Sequence, residues 1–216
     1  MFEDVKSLTF NEDCIAYMQT IPNQFFDLAV ADPPYGIGQD WKKRYKGKPF
    51  KETTYRNDCR ATKEFIEELK RVSKNQIIWG YNYISDLLGP TNYLIVWDKQ
   101  SNANQKFRYS KAEIAYTSIR IPCNLVSIPW DGYRMGAETG TKKTHPHQKP
   151  IQLYKWLFET YSKPGDVIFD SHLGSGSSRI AAYDMHLDFY GCEIDRTYFE
   201  LQEKRFEDYL RRKAYG

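Results

Sequence analysis

Asp32-Pro33-Pro34-Tyr35 follows the apolar run 26–31, and its two prolines forbid the chain to continue a strand ladder. The tetrapeptide therefore stands at the carboxyl end of a strand. An amine carried by an aromatic base is a weak nucleophile, because its lone pair is delocalised into the ring. Acceptors for both of its N–H protons favour a tetrahedral nitrogen whose lone pair is aimed at an electrophile. Asp32 offers one such acceptor. The rigid Pro33-Pro34 pair holds a main-chain carbonyl as the second, and Tyr35 supplies a flat ring against which a flipped-out base can stack. A strand-ending turn without chemistry would use the same four residues, so context decides.

A second constellation lies at Asp170-Ser171-His172-Leu173-Gly174-Ser175-Gly176-Ser177. Its glycines permit a tight turn and close backbone approach to a ligand, and the helix after them offers unpaired N–H groups. Glu193 ends the next strand, where a carboxylate can accept hydrogen bonds from two vicinal ribose hydroxyls. This unit suits a nucleoside-containing cofactor, although an ordinary strand-to-helix turn would look similar. A nicotinamide dinucleotide fits poorly, since the sixth position counted from Gly174 is the bulky Arg179. A phosphate-cradling loop is excluded because no Gly-Lys-Ser/Thr follows. S-adenosylmethionine has no phosphates. It needs a ribose clamp, an adenine slot and a counter-group for its ammonium, and Asp170 is placed for the last.

The elements that would hold these groups read as alternating strands and helices. Strands are expected at 26–31, 76–80, 93–98, 112–118, 166–170 and 187–192, with a short one near Leu125. Helices are expected at 63–73 with Phe65, Ile66, Leu69 and Val72 on one face, after Pro150 with Tyr154, Leu157, Phe158 and Tyr161, at 177–185, and at 196–213 with much of its surface solvated. This pattern predicts an α/β fold with a mostly parallel, doubly wound, Rossmann-like sheet.

With 216 residues, 41% of them hydrophobic, the chain can bury one sizeable core, so a single domain over 1–216 is the expectation. No apolar run is long enough to cross a bilayer and the first residues carry acids, which reads as soluble and intracellular, with no membrane partner. Cys14, Cys59, Cys123 and Cys192 are widely spaced and read as free thiols. His145 and His147 lack nearby cysteine or carboxylate ligands, so no metal site is expected. A net charge of +3 does not by itself announce a nucleic-acid partner.

Taken together in order, these motifs resemble the amino-methyltransferase family of DNA modification enzymes, in its circularly permuted beta arrangement, where the catalytic motif precedes the cofactor loop. The resemblance spans roughly 8–210. Asn11-Glu12-Asp13-Cys14, followed by an apolar strand, resembles the family's adenine-slot motif, which implies that Asp13 and the main chain at Cys14 read the cofactor's adenine edge. His145-Pro146-His147-Gln148-Lys149-Pro150 resembles the His-Pro-x-Gln-Lys-Pro motif near the cofactor's amino-acid end, which implies cofactor-binding roles for Gln148 and Lys149. The family usually has Asp-Pro-Phe where this chain has Asp170-Ser171-His172, so the ring of His172 stands in for the phenyl group.

What the resemblance implies is an S-adenosylmethionine-dependent methyltransferase acting on N6 of adenine in DNA with base flipping, in a cytoplasmic, prokaryotic or phage, restriction-modification context. The acid at position 32 is commoner in the family's adenine enzymes, and serine in its cytosine enzymes. N4-cytosine methylation and a non-catalytic nucleic-acid-binding subunit are the alternatives. The segments 38–60 and 100–146 are the expected DNA-contact and recognition loops. Trp41, Lys42, Lys43, Arg44, Lys46 and Lys48 follow the catalytic tetrapeptide directly, and Arg108 could contact bases. The chain has little room for a recognition insert, so a short site, relaxed specificity or recognition shared across a homodimer is expected.

Overall fold

A computed structural model of the chain describes residues 5–37, 59–100, 110–130, 135, 138 and 141–215. In chain order the elements are β1 (Ser7–Phe10), α1 (Cys14–Gln19), β2 (Phe26–Ala31), α2 (Lys63–Val72), β3 (Ser73–Trp79), α3 (Tyr81–Leu88), β4 (Leu94–Asp98), β5 (Ala112–Thr117) and β6 (Asn124–Ser127). After these come α4 (Ile151–Tyr161), β7 (Val167–Asp170), α5 (Ser177–Asp184), β8 (Asp188–Cys192) and α6 (Arg196–Tyr215). The strands form one sheet in the order β1-β8-β7-β2-β3-β5-β4-β6.

β1, β8, β7, β2 and β3 run parallel to their neighbours, and β5 is antiparallel to both β3 and β4. From β2 the chain crosses to β3 on one side, and from β7 it crosses to β8 on the other. Their shared border is the switch point of the sheet, where ligands of open α/β sheets bind beyond the strands' carboxyl ends. Asp32 and the loop after Asp170 leave the sheet at that border. The expected Rossmann-like α/β architecture is what the structure shows.

Helices cover both faces, which is why β2 reads as an almost unbroken apolar run. Leu28 and Val30 face a cluster with α4 and α5, while Ala29 and Ala31 face one with α1 and α2. α2 starts at Thr62, whose side chain accepts from Phe65 N at 3.1 Å, and buries the four apolar residues expected of it. It stops at Ser73, whose backbone is already extended and pairs with Phe26. β3 therefore begins three residues before the expected 76.

Three elements had no expectation in the sequence. β1 is a four-residue edge strand on β8, and α1 a six-residue helix where the motif reading placed an apolar strand after Cys14. α3 is an eight-residue helix entered through Gly80 in the left-handed region, φ 78°, with no side-chain cap. Elements this short carry too few turns for periodicity to declare them. α6 is less solvated than expected, because Tyr198, Gln202 and Phe206 are buried. Arg179 of α5 anchors it through Glu203 at 2.9 Å, with its guanidinium 4.0 Å from the Phe206 ring centroid.

Candidate active site

A cavity of about 520 Å³ opens at the carboxyl ends of the strands. Asp32, Pro33, Pro34 and Tyr35 line it together with Asp13, Gln148, Lys149, His172, Leu173, Gly174, Ser175, Ser177 and Glu193. The sequence thus brought both proposed half-sites to one hollow. Cys14, Asp170 and Gly176 are not among its lining residues.

Asp32 is held from two sides: Tyr35 Oη donates to Oδ1 and Lys149 Nζ donates to Oδ2. Burial, followed by the negative charges of Asp32 and Glu113, pushes the Tyr35 hydroxyl well above its ordinary range, so it stays a neutral donor. The tyrosine ring stacks on Tyr83, centroids 5.0 Å apart and planes 17° from parallel. The flat surface at the site is therefore built by two tyrosines rather than by Tyr35 alone. Gly80 makes room for it, since a Cβ there would stand 2.1 Å from Tyr35 Cε1. The Pro34 carbonyl accepts from Ala61 N at 3.1 Å, a bond that ties the start of α2's approach to the catalytic strand end.

At the other end of the cavity, Gly174 N donates to Glu193 Oε2 and Asp195 N to Oε1, both at 2.9 Å. Each oxygen keeps a second lone pair. Burial pushes the Glu193 carboxyl up to about 7, against the pull of those two backbone donors. The neighbouring Ile194 is 68% exposed and lines the cavity, an apolar surface beside the carboxylate. Asp13 Oδ1 caps α1 by accepting from Ile15 N and Ala16 N at 2.9 and 3.1 Å, and this fixes its carboxylate at the cavity wall. The Cys14 thiol instead packs against the α1 and α2 cluster, and burial pushes it up to about 12.

Asp170 is buried behind the cavity wall, accepting from His172 N at 3.0 Å and from Ser178 Oγ. Burial raises its carboxyl to about 6. These bonds tie it to the loop that joins β7 to α5. Gly176 is likewise structural: at φ 74° it turns the chain into α5, with Gln202 packed where a Cβ would go. His172 lines the cavity. Burial lowers its imidazole to about 4, leaving it neutral, and its ring meets Phe65 edge-on at 5.1 Å.

The His145-to-Pro150 loop is locked from below. Gln148 Oε1 accepts from Thr144 N at 3.0 Å while its Nε2 donates to Glu138 Oε2 at 3.2 Å. Glu138 also accepts from Ile151 N at 2.7 Å, capping α4, and from Arg205 at 2.8 Å. Arg205 reaches on to the Ser175 carbonyl at 2.7 Å, so one buried ion pair joins this loop to the glycine loop. No motif marks Glu138 or Arg205, because their meeting depends on how α6 lies. Lys149 turns its ammonium to the catalytic half, against Asp32 and, at 3.1 Å, Glu113 Oε2. Glu113, Tyr83, Tyr154 and Ile194 were also missed; alternation along β5 marked Glu113 only as a strand residue.

Trp41, Lys42, Lys43, Arg44, Lys46, Lys48 and Arg108 lie outside the described residues. No helix among the described residues is long and apolar enough to cross a membrane.

S-adenosylmethionine fits the residues present. Glu193 offers two free lone pairs to a ribose, Asp13 and Ile194 bound the adjoining pocket, and Gly174, Ser175 and Ser177 form the loop over which its amino-acid tail would lie. Comparisons with known proteins agree. M.HpaI, a type II methyltransferase of Haemophilus parainfluenzae, is 23% identical over 232 residues, covering 90% of this chain and 72% of the relative. The DNA adenine methyltransferase YhdJ of Escherichia coli K12 is 24% identical over 241 residues, covering 90% of this chain and 81% of the relative.

Among solved structures, the M1.HpyAVI complex with S-adenosylmethionine matches at TM-score 0.60 and 19% identity, over 92% of this chain and 98% of that one. The cytosine-N4-specific PvuII DNA methyltransferase matches at TM-score 0.62 and 15% identity, over 94% and 87%. At these identities the structures show the shared fold. The DNA methylase family of N6 and N4 enzymes matches residues 26–204, and the chain belongs to it: an amino-group DNA methyltransferase whose cofactor is S-adenosylmethionine.

Proposed function

We propose that the chain methylates N6 of adenine in DNA, on a base turned out of the duplex into the cavity. The observation that carries the reading is Asp32 itself, an acid at the catalytic strand end, fixed by Tyr35 and Lys149 at the wall of the hollow that holds Glu193. A carboxylate oxygen has lone pairs to spare beyond one donor each, so Asp32 accepts one amine proton. The Pro34 carbonyl is engaged by Ala61, which leaves the Pro33 carbonyl as the natural acceptor of the other. Tyr35 and Tyr83 offer the base an aromatic surface. S-adenosylmethionine, which Glu193, Asp13 and the 174–177 loop would hold, would supply a methyl group on a positively charged sulfur. The basic segment 41–48 and the stretch 100–146 are proposed to hold phosphates and read bases.

Methylation of N4 of cytosine would use the same acceptors. The acid at position 32, the family's commoner choice for adenine, favours the first reading, as does the adenine specificity named for one curated relative. The test is incubation with methyl-labelled cofactor and unmethylated DNA, then digestion to nucleosides. Label in N6-methyladenine is expected. Label in N4-methylcytosine alone would replace the base assignment, and label in neither would refute the activity.

A further inference from the structure

Behind Asp32 the structure holds a row of four charges of alternating sign. Lys99, just after β4, pairs with Glu113 Oε1 of β5, Lys149 lies 3.1 Å from Glu113 Oε2, and Lys149 donates to Asp32 Oδ2 at the end of β2. Lys149 is 5% exposed and rests 5.4 Å from the centroid of the Trp79 ring. A lone ammonium buried so deeply would shed its proton. Tyr35 donates to Asp32 beyond it, the buried Tyr154 hydroxyl on α4 feels the charges of Asp32 and Glu113, and the charge of Lys149 reaches the His145 imidazole of its own loop and Asp170 of β7. Tyr35, Tyr154 and His145 are all held neutral by burial, the tyrosines raised and the histidine lowered. The anions in contact with Lys149 are therefore Asp32 and Glu113.

We propose that Glu113 is a positioning residue for methyl transfer: braced by Lys99, it pins the Lys149 ammonium on one oxygen of Asp32, so that Asp32 presents its other oxygen to the substrate amine. This rests on the amine-methylation reading above. Glu113 is not among the residues that line the cavity, so it acts through Lys149 rather than on substrate or cofactor. Pinned this way, Oδ2 is kept by the ammonium, and the amine has only to displace the Tyr35 hydroxyl from Oδ1 or share that oxygen with it.

The electrostatics agree. Burial works against ionising Glu113, yet the charges of Lys149 and Lys99 outweigh it and hold the carboxyl down at about 2. Burial likewise works against Lys149, and Asp32 and then Glu113 overcome it and raise the ammonium above its ordinary value. The two carboxylates on either side of Lys149 are what keep it charged.

The experiment compares the pH dependence of kcat from pH 6 to 9.5 for the wild type, E113Q and K99Q, with cofactor affinity and thermal unfolding measured in parallel. E113Q removes the anion that holds Lys149 charged. Its kcat should fall at least about tenfold at pH 9, because the alkaline limb, which for the wild type lies above this range, moves down into it, while cofactor affinity stays unchanged. K99Q removes a cation instead, so Lys149 holds its proton more tightly and the alkaline limb should not move down. That opposite behaviour separates positioning from loosened packing, which would lower turnover equally at every pH. A wild-type profile in E113Q, a uniform loss without a shifted limb, or a K99Q limb lowered like that of E113Q overturns the proposal. Failure of E113Q to fold, seen as a lost unfolding transition, also overturns it in favour of a purely structural role. A wild type that transfers no methyl to any DNA overturns the parent reading, and this proposal with it.

Discussion

Glu193 should make cofactor binding depend on pH in a range where few carboxylates titrate. Two of its four lone-pair positions are filled by Gly174 N and Asp195 N, leaving two, one on each oxygen, for two ribose hydroxyls. Protonation would turn one of these acceptors into a donor and break a cofactor contact. Burial pushes this carboxyl from its ordinary 4.5 up to about 7. By linkage about one-tenth of the protein is then binding-competent at pH 6 and about nine-tenths at pH 8, a loss of affinity of about tenfold on acidification. The sign for stability is the reverse of the usual acid case. A raised carboxyl keeps in the folded state a proton that the unfolded chain has lost, so the ligand-free protein should lose stability as pH rises from 4.5 towards 7. Calorimetric titration of S-adenosylmethionine at pH 6 and 8, in buffers of different ionisation enthalpy, reads both the affinity and the proton release. The cofactor's own amine titrates nearby, so E193Q is the reference. The wild type should show about tenfold more weakening at pH 6 than E193Q does, with close to one proton released. Equal pH dependence in the two proteins would refute the assignment of Glu193 as the ionised ribose clamp.

Asp32→Ala should abolish transfer, measured as labelled methyl on DNA, and leave S-adenosylmethionine affinity within about threefold, because the acid acts on the base. Wild-type turnover would remove Asp32 from the reaction. Gly80→Ala places a Cβ 2.1 Å from Tyr35 Cε1 and imposes a left-handed φ of 78° on a residue that resists it. The backbone term alone is worth about 1–2 kcal/mol, and displacement of the Tyr35 ring should lower kcat far more than cofactor affinity, as steady-state kinetics would show. Arg205→Met removes the cation from the part-buried Glu138, which keeps Gln148 and Ile151 as donors, and should cost about 1.5–3 kcal/mol in urea unfolding. A loss under about 1 kcal/mol would mean that the two loops are not fastened through this pair.

The long-range frame was legible because its signals are local. An apolar run stopped by two prolines marked β2 and put Asp32 at its end, and a glycine turn followed by a strand and an acid marked the cofactor unit. Both signals depend only on neighbours in sequence, and the parallel fold supplied the rest by bringing the ends of β2, β7 and β8 side by side. What the sequence could not reveal is how the catalytic acid is held. Glu113 sits 81 positions from Asp32 and 36 from Lys149 (113 − 32 and 149 − 113), on the antiparallel strand that joins the β4 hairpin to β3. Nothing in the pattern of β5 distinguishes an acid that faces solvent from one that faces a buried lysine.

The same dependence on packing separates the surroundings of Asp170 from those of Glu193. A carboxylate at a strand end next to a glycine turn has two possible neighbours, the ligand or the turn itself, and both are reached over similar distances. Asp170 takes the turn, because Ser178 in the first turn of α5 and the His172 N–H converge on it. Glu193 stands one strand over and receives only main-chain donors, which leaves it facing outward. Of two acids with the same kind of sequence context, the one whose side-chain partner lies within the following helix becomes structural, and the one without such a partner remains available to the cofactor. The acid at position 32 falls between these cases. Its partners are side chains, but Tyr35 and Lys149 both reach it at the cavity wall, so its fixing and its availability are achieved by the same contacts.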